Sequence, residues 1–355
     1  MNAKLHILVT GSAGFIGHHL MLALQQSGHT TVGLDSLNSY YDPQLKYSRL
    51  AQQGFSENCI QPKALVRSTK APGSSFVQLD LADAQALQHL FAEQAFDVVI
   101  NLAAQAGVRH SIDHPEEYVA SNLVGFANLL ECARRHHIKH LLFASSSSVY
   151  GLNKEIPFQT SQNTDAPISF YAATKKANEV MAHSYAHLYG IPTTGLRFFT
   201  VYGPWGRPDM AYYIFSRAIV EGKPIRIFNH GDMLRDFTYV DDVVESIVQL
   251  LGRAPDAAPV PYKLYNIGNN QPEQLLEAVA ILERLLHRKA KLDLQPMQPG
   301  DVQATYADVD ELMQVTGFRP STSLEEGLSR FISWFKEYHQ VEDARPLEAA
   351  SKYSG

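Results

Sequence analysis

Tyr171 and Lys175 stand four residues apart in Tyr171-Ala172-Ala173-Thr174-Lys175. On a helix that spacing puts both side chains on one face. An ammonium beside a phenol favours the phenolate and lowers its pKa. A tyrosine tuned in this way can take a proton from an alcohol at neutral pH while a hydride leaves the same carbon. The run Ser145-Ser146-Ser147-Ser148 ends an apolar, strand-like segment. A serine hydroxyl there could hydrogen-bond the reacting oxygen and hold it in place. Taken alone, the Tyr/Lys pair reads as an ordinary solvated helix face, and what lies upstream decides.

Upstream, Gly11-Ser12-Ala13-Gly14-Phe15-Ile16-Gly17 follows the first apolar run and opens the first helical stretch. Glycines there allow a tight turn and let backbone N–H groups approach a pyrophosphate, with the positive end of the helix dipole behind them. The spacing is Gly-xx-Gly-xx-Gly, slightly off the Gly-x-Gly-xx-Gly of the standard dinucleotide fingerprint. Asp35 closes the second strand-like run about 20 residues on, where an acid accepts from the adenosine ribose hydroxyls. Its charge would repel a 2′-phosphate, which favours NAD over NADP. Asp80, ending the third run, is either a contact to the adenine amino group or an N-cap for Ala82 onward.

These residues need a frame. Strands are expected at Leu5–Val9, Thr31–Asp35, Phe76–Leu81, Asp97–Asn101, His140–Ala144, Thr193–Phe199 and Tyr262–Ile267. Helices are expected at Gly14–Ser27, Ala84–Glu93, Glu117–His136 and Tyr171–Tyr189. Several strands are almost wholly apolar, such as Val98-Val99-Ile100, as strands covered on both faces must be. Strand–helix alternation with such connections implies an α/β protein, with a Rossmann-type doubly wound parallel sheet. Past residue 200 turn signals cluster and the alternation ends. The reading is a cofactor-binding domain over 1–200, rejoined by about 236–268. A smaller mixed α/β C-terminal substrate-binding domain covers 201–340, and 341–355 is a tail. Ser56–Ser75 has no period and reads as a surface insertion.

Composition narrows the function. The chain has 355 residues, with 45% hydrophobic and 19% charged, and 30 basic against 36 acidic residues give −6. That balance offers no electrostatic reason for a nucleic-acid partner or an anionic membrane surface. No apolar run reaches the roughly 18–20 residues of a membrane span. Met1-Asn2-Ala3-Lys4 leads straight into the first strand, so no cleaved signal peptide is expected. Cys59 and Cys132 are the only cysteines, too few for a disulfide scaffold or a cysteine zinc site, and a cytoplasmic setting fits. His183 and His187 have Ser184 where a His-Glu-x-x-His site needs glutamate, and no metal site is expected. No Gly-x-Ser-x-Gly elbow supports acyl hydrolysis by the serines.

The glycine turn, Asp35, Asn101-Leu102-Ala103-Ala104, Asn122, the serines before Val149-Tyr150-Gly151, Tyr171/Lys175 and Arg235-Asp236-Phe237 together resemble the extended short-chain dehydrogenases/reductases. The likeness is to their NAD-dependent sugar-nucleotide epimerase/dehydratase group and spans nearly the whole chain. It implies NAD contacts from Gly11, Gly14, Phe15, Ile16, Gly17, Asp35, Asp80, Leu81, Ala103, Asn122, Tyr171 and Lys175. It places the catalytic serine on Ser146, with Ser147 close enough to share that role and Ser148 on the substrate side. Dehydratases and decarboxylases of the group carry acids after the catalytic hydroxyl residue. Ser147 and Ser148 stand there instead, which favours epimerisation.

The segments Asp35–Lys46 and Leu196–Met210 closely resemble UDP-glucuronate 4-epimerases, with Thr200-Val201 where UDP-glucose 4-epimerases usually carry Asn-Pro. The resemblance implies that Arg207 faces the sugar carboxylate, as a guanidinium fork suits. It places Arg235 on the UDP diphosphate, Asp301 on the uridine ribose and Thr200 on the sugar, and Phe228 either on uracil or in plain core. It also implies a homodimer through the helices after Glu117 and at Tyr171. Behind this reading stand UDP-glucose and N-acetylated UDP-sugar or uronate epimerases, then a decarboxylase and a non-catalytic NAD-binding regulator.

Overall fold

The computed structural model describes residues 4–297 and 302–342. Seven strands arise before residue 199: β1 (His6–Thr10), β2 (Thr30–Asp35), β3 (Leu65–Arg67), β4 (Ser74–Gln78), β5 (Val98–Asn101), β6 (His140–Ser146) and β7 (Thr193–Phe198). Six follow: β8 (Thr200–Tyr202), β9 (Pro224–Ile227), β10 (Leu234–Tyr239), β11 (Tyr262–Ile267), β12 (Pro272–Gln274) and β13 (Lys291–Leu294). The main sheet has eight strands in the order β11-β7-β6-β5-β1-β2-β4-β3. Every neighbouring pair in it is parallel except β3 with β4. The chain order reverses on either side of β1, and a crevice opens at the carboxyl ends of β1 and β5, where doubly wound sheets bind ligands.

The central strands are buried on both faces, so their side chains split between two cores. Ile7, Val9, Val98 and Ile100 pack into one, Leu8 and Val99 into the other. The first core is covered by α1 (Phe15–Gln26), and behind the second lies α3 (Ala84–Glu93), with α2 (Pro43–Gln52) between them in the chain. Asp83 caps α3 through the Ala86 N–H, so Asp80 is not its cap.

One expected helix is broken. The sequence predicts a single helix over Glu117–His136, but a short α4 (His110–Asp113) and α5 (Pro115–Tyr118) come first. A wide π turn over Val119–Val124 then leads into α6 (Gly125–Arg135). The apolar pattern survives the break because Phe126, Leu129 and Leu130 still reach the second core. The long α7 (Phe170–Tyr189) starts where Ser169 accepts from the Ala172 N–H and stops at Gly190 with φ 67°, a left-handed stop that glycine takes without strain.

The segment 56–75 is also more than surface insertion. It holds β3, with Leu65, Val66 and Arg67 facing Val77, Phe76 and Ser75. Three residues are too few for alternation to show in sequence.

Beyond β7 the chain builds a second layer. β12, β10 and β8 form one small sheet and β13 with β9 another. They are held by α8 (Ala211–Glu221), α9 (Val240–Leu250), α10 (Leu275–Leu286), α11 (Asp310–Thr316) and α12 (Leu324–His339). β11 leaves this layer and joins the main sheet beside β7.

Candidate active site

The crevice is a cavity of about 480 Å³. Its floor is the turn between β1 and α1. Gly11 has φ +70°, and a Cβ there would lie 2.7 Å from the Ala103 nitrogen. A Cβ on Gly17 would lie 2.9 Å from the Ser12 Cα and closer still to the Gly11 carbonyl. Only glycine allows this turn, which presses on β5's exit and opens α1. Asp35, at the end of β2, accepts from the Ala13 N–H at 3.2 Å and the Leu37 N–H at 2.9 Å. The turn and the acid are thus one unit. These residues fit a dinucleotide: a crowded glycine turn at a helix start, with a buried carboxylate one strand away.

Phe15, Ile16, Asp80, Leu81 and Ala103 line the same cavity. Asp80 spends one oxygen on the Ala82 N–H at 2.8 Å. Asn122 does not line it. Its side chain is buried, accepting from the Gln105 N–H at 2.8 Å and donating to the Gln105 carbonyl and Thr174 Oγ1, both at 3.0 Å. It braces the Ala103–Gln105 segment, and a direct cofactor contact by Asn122 is not what the geometry offers.

Ser146, Ser147, Ser148, Tyr171 and Lys175 converge on the opposite wall. Ser148 Oγ donates to Ser146 Oγ at 2.9 Å. Ser145 turns away and donates to buried Glu179 at 2.6 Å. Burial raises the Tyr171 phenol above its ordinary pKa, while a hydrogen bond with Ser146 and the Arg207 charge draw it back down. This differs from the expectation that Lys175 lowers it. The Lys175 Nζ lies 6.0 Å from the Tyr171 ring centroid and donates to the Ala144 carbonyl at 2.9 Å. Burial alone pulls the Lys175 ammonium down to about 8.

Thr200, Arg207 and Arg235 line the cavity from the second layer. Arg235 Nη1 donates to the Leu234 carbonyl at 2.8 Å and the Gln303 carbonyl at 3.1 Å. Arg207 donates from Nε and Nη2 to the two oxygens of Asp209 at 3.0 and 2.6 Å. The Tyr40 hydroxyl donates to the same carboxylate at 3.2 Å. Burial first, and then the Asp209 charge, push the Tyr40 phenol up to about 12. Phe228 is not on the cavity wall, and its ring lies 4.3 Å beneath the Arg109 guanidinium. It is half-buried and also packs against the edge of the first core. Asp301 lies outside the described residues.

Three neighbours escaped the sequence reading. Lys46 is buried, 3.9 Å from Asp35, and donates to Asn38 Oδ1 at 2.8 Å. Asp209 and Tyr40 flank Arg207. All three lie in the quoted segments, but no spacing rule links residues 40 and 209. Among the described residues, His110, His114 and Glu117 bring ligand atoms within 4.8 Å of one another. His110 Nε2 meets Glu117 at 3.0 Å, and His114 Nδ1 lies 3.8 Å from Glu116.

Comparison with known proteins agrees with this geometry. Residues 7–268 match the model of the NAD dependent epimerase/dehydratase family. The chain is 49% identical over 347 residues to Protein CapI of Staphylococcus aureus, covering 94% of this chain and 99% of that one. It is 46% identical over 347 residues to a probable UDP-glucuronate 4-epimerase of Rhizobium meliloti, covering 94% and 97%. The crystal structure of UDP-glucuronic acid 4-epimerase from Bacillus cereus, in complex with UDP-glucuronic acid and NAD, superposes with a TM-score of 0.83. The two chains share 31% identity, over 94% of this chain and 100% of that one. A glycine turn joined to its acid, and a serine–tyrosine–lysine wall facing it across one cavity, are thus carried by a chain that belongs to the NAD dependent epimerase/dehydratase family.

Proposed function

We propose that this protein is an isomerase, a nucleotide-sugar 4-epimerase that interconverts UDP-glucuronate and UDP-galacturonate with bound NAD. One observation carries the choice of sugar: a guanidinium, Arg207, lines the same cavity as Tyr171 and Ser146. A uronate has a carboxylate to meet it, and a neutral hexose has none. The named relatives and the ligand of the Bacillus cereus enzyme support the same choice.

In this reading bound NAD supplies the acceptor and donor of hydride. The glycine turn and Asp35 hold its pyrophosphate and adenosine ribose, with Phe15, Ile16, Asp80, Leu81 and Ala103 around them. Tyr171 takes the proton from the sugar O4 and later returns it, with no net redox. Ser146 holds O4, and Ser147 and Ser148 complete that hydroxyl cluster. Lys175 anchors β6's end through Ala144 and keeps a cation beside the phenol. Arg235 grips the diphosphate and Thr200 the sugar. The 4-keto sugar turns about its diphosphate link between the two half-reactions. Residues 1–200 with 236–268 form the cofactor-binding part, and 201–340 the substrate-binding part.

The protein acts as a homodimer in the cytoplasm on this reading. Exposed Val119, Val124 and Val180 on the π turn and α7 supply an apolar face for a second copy. Among the described residues no helix is long and apolar enough to cross a membrane. Light scattering behind a sizing column tests the dimer.

The Arg207–Asp209 pair favours one second reading, a neutral UDP-hexose, because the guanidinium is already matched by a carboxylate. One experiment separates the two. The purified protein, with no added NAD, is incubated with UDP-glucuronate or UDP-glucose and followed by NMR. Formation of UDP-galacturonate, with slower or no turnover of UDP-glucose, is expected. Turnover of UDP-glucose alone would overturn the assignment.

A further inference from the structure

Arg49 in α2 is fully buried, and all its hydrogen bonds go to neutral acceptors. Nη1 donates to the Ala13 carbonyl at 3.0 Å and the Tyr41 hydroxyl at 2.7 Å. Nε and Nη2 donate to the Trp205 carbonyl at 3.1 and 2.6 Å, and Nη2 also reaches the Gly206 carbonyl at 3.1 Å. Among the described residues no carboxylate stands within ion-pair distance. A buried guanidinium without a counter-charge is costly, so its place in the fold points to what it connects.

On one side it holds Ala13, inside the glycine turn, whose N–H is fixed by Asp35. On the other it holds the two residues that precede Arg207. Trp205 has φ +60°, a conformation a bulky side chain keeps only where its surroundings over-determine it. Gly206 has no spare room, since a Cβ there would collide with the Tyr212 hydroxyl. The Trp205 ring is wedged 5.5 Å from His18 and 5.3 Å from Trp334.

We propose that Arg49 is a positioning residue that ties the cofactor turn to the Trp205–Arg207 loop, so that the preference for a 6-carboxylate depends on it. The inference rests on the reading of Arg207 as the carboxylate-binding residue. Arg49 itself does not line the cavity. It sets the backbone from which Arg207 projects, and it does so from the same turn that cradles the pyrophosphate. The fork is essential, because a lysine could not serve both carbonyls and the turn at once.

The test uses the full chain in three variants: Arg49→Lys, Tyr41→Phe and Arg207→Gln. Two readouts are taken, the ratio of kcat/KM for UDP-glucuronate to that for UDP-glucose, and tryptophan emission. The chain has two tryptophans, and both lie at this junction. Arg49→Lys is expected to lower the ratio on the order of 10- to 100-fold, as a misplaced positioning group does, mostly through KM for UDP-glucuronate. Its emission maximum moves to the red as Trp205 loosens. Tyr41→Phe shifts both readouts the same way by a smaller factor, and carries the test should Arg49→Lys fail to fold. If Arg207→Gln collapses the ratio while folded Arg49→Lys and Tyr41→Phe leave ratio and emission unchanged, the inference is refuted. Equal losses with both sugars refute it too, because a general structural defect acts in that way. An unchanged ratio in Arg207→Gln removes the carboxylate reading itself, and the inference with it.

Discussion

Arg207 grips Asp209 through Nε and Nη2, at 3.0 and 2.6 Å, on the wall of the cavity that holds Tyr171. This fork uses one edge of the guanidinium and leaves Nη1 without a share in the pair. A substrate carboxylate would therefore join Asp209 around the same cation, and two like charges would sit close together. Asp209→Asn removes that repulsion and leaves an acceptor for the Tyr40 hydroxyl. KM for UDP-glucuronate should fall by roughly fivefold, on the order of 1 kcal/mol, with KM for UDP-glucose unmoved. Initial-rate kinetics on both sugars decide this, and a rise in KM for the uronate contradicts it.

The same charges tune the base. Burial raises the Tyr171 pKa, Ser146 and Arg207 lower it, and Asp209 raises it. The phenolate is the active form, so turnover should rise with pH from neutrality toward the alkaline side. Removing a group that lowers the pKa must move this limb up. Ser146→Ala and Arg207→Gln should shift it to higher pH, and Asp209→Asn to lower pH. A kcat–pH series on the four proteins reads the signs directly. A common limb for all four would show that another group titrates.

A 4-keto-uronate is a β-keto acid and can lose CO2 when its C5–carboxylate bond aligns with the carbonyl π system. A firm hold by Arg207 keeps that bond out of line. Arg207→Ala should therefore raise the proportion of decarboxylated product relative to UDP-galacturonate, measured by NMR of the product mixture. An unchanged ratio sinks this role for Arg207.

Beneath the serines, Arg197 and Glu179 form a buried pair, with Nε to Oε1 at 2.8 Å and Nη2 to Oε2 at 2.9 Å. Ser145 and Tyr150 lean on the same pair. Arg197→Met strands a buried carboxylate and should cost about 3–5 kcal/mol in urea unfolding. Adding Glu179→Leu should recover much of that loss. A single variant within 1 kcal/mol of the parent would show that the pair is not what holds β6's end.

The parts of the site that lie close together in the chain were legible in sequence. The glycine turn, Asp35 and the Tyr171/Lys175 pair follow from spacing along one element or one βαβ unit, and they meet in the cavity. What spacing misses is direction. Lys175 shares a face with Tyr171, yet its ammonium donates to the Ala144 carbonyl on β6. Asn122 sits in the right place along the chain, but the π turn points it inward at Gln105. Tyr40, Arg49 and Asp209 gain their meaning only when residues about 160 positions apart are folded against each other. No periodicity encodes such a meeting.

The little hairpin of β3 on β4 also settles how this sheet ends. Without β3, β4 would present an open row of peptide groups, ready to recruit a strand from another molecule. β3 satisfies that row, and Pro62, Lys63 and Arg67 beside and within it make its own outer side a poor template. The short strand within residues 56–75 thus closes one edge of the eight-stranded sheet.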